Sequence, residues 1–324
     1  MSRINIGGQA VMEGVMMRNN DRYAVAVRKP DKQIEVKTNR CTGTSDRPAV
    51  CNLPIVRGVF SFVQSLTIGV KTLMYSAQFF EDEEEEALKK EKKKKKEKTK
   101  EQESRAEKAE MAGTVTFSIV LAVGLFMLLP AWIASLLDAV IKSHVLIGLI
   151  EGVIRLAIFL GYVIAISRME DIKRTYMYHG AEHKTINCLE HGNELTVENV
   201  MQASRFHKRC GTSFLFIVMI VSILVFMCIT VDAMWLRLLL RVLLVPVIAG
   251  ISYEFIRFAG NSESWIANLL SKPGLLLQHI TTKEPEDDMI EVGMASVEAV
   301  FDWKTYVEEI RQEDSGEHDI SGSN

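Results

Sequence analysis

The chain has 324 residues, a formal net charge of −3 and 48% hydrophobic residues. Its length alone would fit a couple of soluble domains, but the apolar residues are gathered into long uncharged runs, which excludes that reading. Five cysteines (Cys41, Cys51, Cys188, Cys210 and Cys228) form an odd, scattered set, which points to reduced thiols or ligands rather than a disulfide framework.

The N-terminus lacks a basic start, a clean apolar core and a cleavage site, so membrane insertion is expected to be driven by internal segments. Residues 1–52 read as a small cytoplasmic element. Within it Tyr23–Arg28 and Gln33–Thr38 are β-type runs flanking Lys29-Pro30-Asp31-Lys32, which predicts a hairpin. Gly7-Gly8 and Gly14 read as tight turns in preference to an anion-binding loop. Residues 53–80 carry Arg57, Ser61, Gln64, Ser65, Lys71 and Thr72 near helical spacing. This predicts an amphipathic helix on the membrane surface or against the bundle. A re-entrant or spanning segment would leave Arg57 and Lys71 in need of buried partners. Residues 81–111 form a charge-segregated linker, acidic over 81–86 and then lysine-rich from Lys89 to Lys100, and read as solvated helix or disorder. Attraction of the lysines to anionic lipid is a minor reading, offset by the acidic block.

Residues 112–167 and 213–258 predict two transmembrane hairpins. Thr114–Leu137 and Ser213–Val231 carry no charge at all and pass the roughly 18 residues that cross a hydrocarbon core. Val145–Ile166 carries Glu151 and Arg155, four apart and able to pair. Met234–Phe258 carries Arg237 and Arg241, expected to snorkel to headgroups, and Glu254 and Arg257. Asp138 and Asp232 read as solvated residues of the outer turns, and Pro130 and Pro246 as kinks.

Residues 168–212 read as a cytoplasmic helical segment. Span two is expected to continue through Met177 and Lys184 to near Gly192, and Thr196 to cap a helix from Val197 to about Lys208. In the C-terminal region, 259–324, an amphipathic stretch runs over Met289–Ile310, with Ile290, Met294, Val297, Val300 and Phe301 apolar. Gln312–Asn324 reads as disordered. The segment 168–212 is rich in Lys and Arg, whereas the two outer turns offer only Lys142, so both termini and the central segment are expected in the cytoplasm. The fold class is thus an all-α polytopic protein of the cytoplasmic (inner) membrane with about four transmembrane helices.

Several stretches taken together resemble one family. They are GGQAVMEGVMMR at 7–18, HGAEHKTINCLE at 179–190, HKRCGTSF at 207–214, ISYE at 251–254 and QHITT at 278–282. The combination resembles the YqhQ-type family of bacterial membrane proteins, a family of unknown function, and covers nearly the whole chain. The resemblance implies a metal-dependent membrane enzyme with no established reaction.

The residues themselves point the same way. His179 and His183 are four apart and share a helix face, with Glu182 nearly on the same side. In inverted zinc peptidases two histidines of this spacing bind the metal and the glutamate acts on its water, whose pKa zinc lowers to about 7. A catalytic zinc takes a third protein ligand and keeps one position open. The candidates are Glu254, His207, Cys210, Cys188 and Glu190. Glu254 is favoured by topology, and a salt bridge to Arg257 is its structural alternative. If His207 and Cys210 both join the two histidines, the set closes as a structural site and Glu182 has no base role. A metal-free polar docking surface is the third reading.

The leading expectation is a divalent-metal-dependent hydrolase at the cytoplasmic face, with Glu182 as general base and peptide, amide or ester as substrate. The alternative is a scaffold that recruits a membrane or cytoplasmic protein partner through a structural metal site or polar helix. A transporter ranks behind both, since no inverted repeat is visible. No nucleic-acid binding is expected, because the lysine block has no interleaved aromatics.

Overall fold

The computed structural model describes residues 4–43, 48–80, 113–137, 140–229, 231, 234–262 and 264–321. The charged linker 81–111, Asp138 and Asp232 lie outside the described residues. Contacts divide the chain into two units, Met1–Phe79 with Ile164–Val221 and Leu240–Asn324, and Phe80–Val163 with Ser222–Leu239.

The first unit opens with a four-stranded antiparallel sheet, β1 (Ile6–Val11), β2 (Gly14–Asn19), β3 (Arg22–Arg28) and β4 (Ile34–Arg40), in the order β1-β2-β3-β4. The expected hairpin is present, with Arg28 opposite Ile34. The sheet is larger than the sequence pattern indicates, and the all-α expectation is corrected to a mostly helical chain with this sheet. Gly7 and Gly8 lie inside β1 rather than in a turn. The tight turn falls after them, where Glu13 takes φ 47° between the paired Val11 and Gly14. Gly14 is required by packing, because a Cβ there would strike the carbonyl oxygen of Ala26.

The sheet does not stand alone. Ile6, Val15, Met17 and Ala26 join one apolar core with Tyr178, Ala181, Ile186 and Leu189 of α4 (Glu170–Glu190) and with Met289, Ile290 and Val297 of α9 (Asp287–Glu298). Burying apolar area of this kind stabilises at roughly 25 cal/mol per Å². Gly293 lets α9 approach α4, since a Cβ there would fall 2.7 Å from Thr185 Oγ1.

Three expected boundaries shift. The helix α3 (His144–Ile166) stops at Ile166, and α4 starts afresh at Glu170 after an extended Met169, so span two does not run on into α4. Thr196 does cap α5, its hydroxyl accepting from the Asn199 N–H at 3.2 Å, but α5 covers only Val197–Gln202. The stretch Met289–Ile310 is two helices, α9 and α10 (Trp303–Ser321), and α10 occupies much of the region expected to be disordered. Between α7 (Met234–Asn261) and α9 the sequence pattern missed a further helix, α8 (Trp265–Thr281), whose Ser264 cap accepts from Ala267 N–H at 3.2 Å.

Helix α1 (Val56–Ala77) crosses α7 where Gly58 meets Gly250. Arg57 forms a two-bond ion pair with Glu254 across this crossing, Nε to Oε1 at 2.6 Å and a second bond from Nη2 to Oε2. The partner of Glu254 is therefore on α1 and not only the neighbouring Arg257.

Among the described residues three helices are long and apolar enough to cross a membrane, α2 (Gly113–Ser135), α3, and Leu239–Gly260 within α7. Helix α6 (Gly211–Met227) is apolar but only 17 residues long. In the second unit Arg155 donates to Glu151 at 2.6 Å, as its spacing predicts, and to the Phe126 carbonyl at 2.9 Å. Phe126 sits in a π-helical turn, Gly124–Leu128, just before Pro130. Such a turn frees carbonyls from the regular ladder.

Candidate metal centre

From Tyr178 to Leu189 almost every residue of α4 is buried, although the helix is polar. Buried polar groups need partners, and the segment 201–206, the end of α5 and the loop after it, supplies them as backbone carbonyls. Lys184 Nζ donates to the carbonyls of Met201 and Ala203 at 2.8 and 3.0 Å. Asn187 Nδ2 donates to Ser204 and Phe206 at 2.6 and 3.0 Å. His183 Nδ1 meets the Arg205 carbonyl at 2.6 Å.

His179 follows the same rule on its other side. Its Nδ1 lies 2.8 Å from the Thr281 carbonyl, one of the carbonyls that the end of α8 leaves without a helical partner. A carbonyl only accepts, so both histidines carry a proton on Nδ1, and Nε2 is the nitrogen left to ligate an ion once any proton on it is displaced. This is the arrangement in which imidazoles ligate metals, with the second nitrogen tied to a carbonyl.

The two Nε2 atoms converge on Cys210. His179 Nε2 is 3.2 Å from Cys210 Sγ, and the ligand atoms of His179, His183 and Cys210 all lie within 4.8 Å of one another. Bond lengths to zinc set the edges of a tetrahedral set at about 3.3–3.6 Å, so the donors need only small adjustments to share an ion. Burial alone would raise the Cys210 thiol, but the His179 and His183 imidazoles hold it well below its ordinary value. Burial would likewise lower His179, and the Cys210 sulfur reverses this, pushing it up to about 9. The Thr212 N–H adds a contact to Sγ at 3.4 Å. The chemistry of this donor set, two imidazoles and a thiol inclined to ionise, fits zinc.

Glu182 is 4% exposed, and its Oε2 lies 3.7 Å from His179 Nε2 and 3.9 Å from His183 Nε2. Its stem lies against β1, where a Cβ on Gly8 would fall 2.6 Å from Glu182 Cγ. Gly180 plays a matching part, since a Cβ there would strike the Lys283 carbonyl oxygen. Glu13 pins the first hairpin turn to α4 through two 2.6 Å bonds from Arg174.

Of the residues expected from sequence, the fold brings together His179, His183, Glu182 and Cys210. The other two are engaged elsewhere. His207 Nε2 faces Glu190 Oε2 at 3.3 Å, and Glu190 also holds Arg209, while Glu254 is taken up by Arg57. Cys188 is buried under the 193–194 carbonyls, and burial pushes its thiol up to about 11. Sequence reasoning missed the parts that orient the site. Gln278 is wholly buried and clamps His207 by both backbone groups, accepting from its N–H at 2.9 Å and donating to its carbonyl at 2.8 Å. The QHITT run was the available signal, because it holds both Gln278 and Thr281.

The family model described as "Protein of unknown function (DUF1385)" matches residues 53–303. The chain is 34% identical over 301 residues to the "Uncharacterized protein YqhQ" of Bacillus subtilis (strain 168), covering 90% of each. No solved structure matches the chain. Neither description names a metal, substrate or reaction.

Proposed function

The chain belongs to the DUF1385 family, and we propose that it is a divalent-metal-dependent hydrolase working at the cytoplasmic face of the cell membrane. The observation that carries this reading is the pair of Nδ1 contacts to Thr281 and Arg205, which turns both Nε2 atoms toward Cys210 Sγ. His179, His183 and Cys210 would hold the ion. Three protein ligands are the usual complement of a catalytic zinc, which keeps a fourth position for water or substrate. When bound, zinc lowers the pKa of water and polarises a carbonyl. Glu182, beside both imidazoles, takes the proton of the attacking water and returns it to the leaving group. His207 and Arg209 hold Glu190 and keep it out of the donor set. The substrate is a peptide, amide or ester.

Four spans are counted in this reading, with α6 as the shortest. At 17 residues it sits at the lower limit for crossing a bilayer. The concentration of basic residues between Arg168 and Arg209 supports a topology with that segment and both termini inside.

The burial of His183, Cys210 and Glu182 supports a second reading, a structural ion that clamps α4 to the 205–210 loop in a scaffold protein. Metal analysis of the purified protein, and of His183→Ala and Cys210→Ala, tests both. One equivalent in the wild type and a loss in each variant is expected. Absence of metal under conditions that exclude stripping sinks both readings. Cobalt substitution then separates them: a spectrum that shifts on adding azide requires an open position, and an unresponsive one favours the clamp. Glu182→Gln should keep the metal and abolish cellular function.

A further inference from the structure

Helices α1 and α8 are built inside out. Along α8 the buried face is small or polar, with Ala267, Ser271, Gly274, Gln278 and Thr281, while Trp265 (73% exposed), Ile266, Leu269 and Leu276 (67%) point away from the protein. Gly274 brings this buried face onto Ser213 at the start of α6. Helix α1 repeats the pattern. Its buried positions include Gly69, Thr72 and Ser76, and its exposed stripe is Val63, Leu66, Val70 and Leu73 at helical spacing. Water would reverse both patterns, because burial of apolar side chains is what folding gains. Isolated exposed apolar residues are ordinary, but continuous stripes along two whole helices mark a contact surface.

Helix α8 begins at Trp265, only a few residues after the apolar stretch Leu239–Gly260 ends, so it starts where a span leaves the bilayer. Lys272 and His279 are exposed along one edge of its apolar arc, and Trp265 stands at its first turn. Basic edges, an aromatic anchor and an apolar face are the marks of a helix lying in the headgroup region. Helix α1 crosses the same α7 at Gly58 and Gly250.

We propose that α8, flanked by α1, lies in the bilayer interface with Trp265, Ile266, Leu269 and Leu276 against lipid, and that the substrate of the metal centre is one presented at the membrane surface. The second half rests on the hydrolase reading above. The opposite face of α8 carries Gln278, which clamps His207, and its last residue, Thr281, accepts the His179 Nδ1–H. One helix diameter, about 10 Å, then separates lipid from the groups that orient the site.

The test uses the full-length protein in vesicles with a single tryptophan at 265, Trp132, Trp235 and Trp303 being replaced by phenylalanine. Brominated lipids should quench its emission, most strongly with bromines near the headgroup end of the chain. A Leu276→Trp reporter placed in the tryptophan-free background (Trp265→Phe as well) should be quenched too, and a Lys272→Trp reporter less. A Leu243→Trp reporter reads α7 itself. Quenching at 243 with none at 265 or 276 overturns the proposal while leaving the span intact. No quenching at any position means that α7 does not cross, which removes the membrane reading beneath it. A 265 signal that depends on protein concentration and ignores brominated lipid assigns the face to a second copy and also overturns the proposal.

Discussion

His183 gives its Nδ1–H to the carbonyl oxygen of Arg205 at 2.6 Å, and this bond ties the orientation of a candidate ligand to the shape of the loop that follows α5. That loop is in turn held by Lys184 and Asn187, which bond three of its carbonyls and that of Met201 at the end of α5. Asn187→Leu removes two of those bonds without touching any donor. Outer partners of metal ligands are worth about 10–100-fold in affinity, so Asn187→Leu should weaken zinc binding by roughly that factor, read by competition with a chromophoric chelator. Unchanged affinity in a folded variant would show that the loop does not orient His183.

The close approach of Gly8 to Glu182 gives a second prediction. Gly8→Ala places a Cβ 2.6 Å from Glu182 Cγ, in a region where β1 and α4 are both packed. Overpacking of this kind costs about 1–3 kcal/mol. Thermal unfolding should show the loss, and Gly8→Ala combined with Glu182→Ala should lose less than the sum of the two single variants. Strict additivity would mean that the strand shifts away and Glu182 stays where it is.

The sequence carried the donors but not their supports. His179, Glu182 and His183 announce themselves by spacing on one helix, and Cys210 by its company in HKRCG. Arg205 and Thr281 act through backbone carbonyls, which no side-chain pattern reveals. Gln278 resembles any polar residue at a helix end until its contacts with His207 are known. The sheet was half visible for a related reason. Strands β3 and β4 are bounded by a polar turn, whereas β1 and β2 carry glycines that read as turns, of which Gly8 is instead packed against α4 and Gly14 against β3. Helix α8 escaped notice because its apolar residues face outward and its buried ones are small and polar, the reverse of a soluble amphipathic pattern.

Glu190 accepts from Arg209 on one oxygen and lies 3.3 Å from His207 Nε2 on the other. Burial alone would raise its pKa, but His207 and then Arg209 outweigh that and hold it below the ordinary carboxylate value. A carboxyl with a depressed folded value contributes stability above its unfolded pKa, and the contribution fades as pH falls through the folded value. Glu190→Gln should therefore cost about 2 kcal/mol at pH 7, with the gap from wild type closing in acid below the normal glutamate range. Melting curves from neutral pH downward check this, and a gap that stays constant with pH would rule out an ionised Glu190 as its source.

Glu254 tests whether topology or geometry chooses ligands. Its position near the end of a span made it an attractive third ligand, yet both its oxygens are engaged by Arg57 from α1. The pair is about a quarter exposed on each side, which moderates its desolvation cost and leaves the two-bond geometry to define the crossing of α1 and α7. Glu254→Gln should then leave the zinc content at the wild-type level while lowering the melting temperature. Arg57→Met should lower it as well, and the double variant should recover part of the combined loss, with a coupling of about 1–3 kcal/mol. A loss of zinc in Glu254→Gln that Arg57→Met does not share would assign Glu254 to the metal after all, and would require the crossing at Gly58 and Gly250 to rearrange when the ion binds.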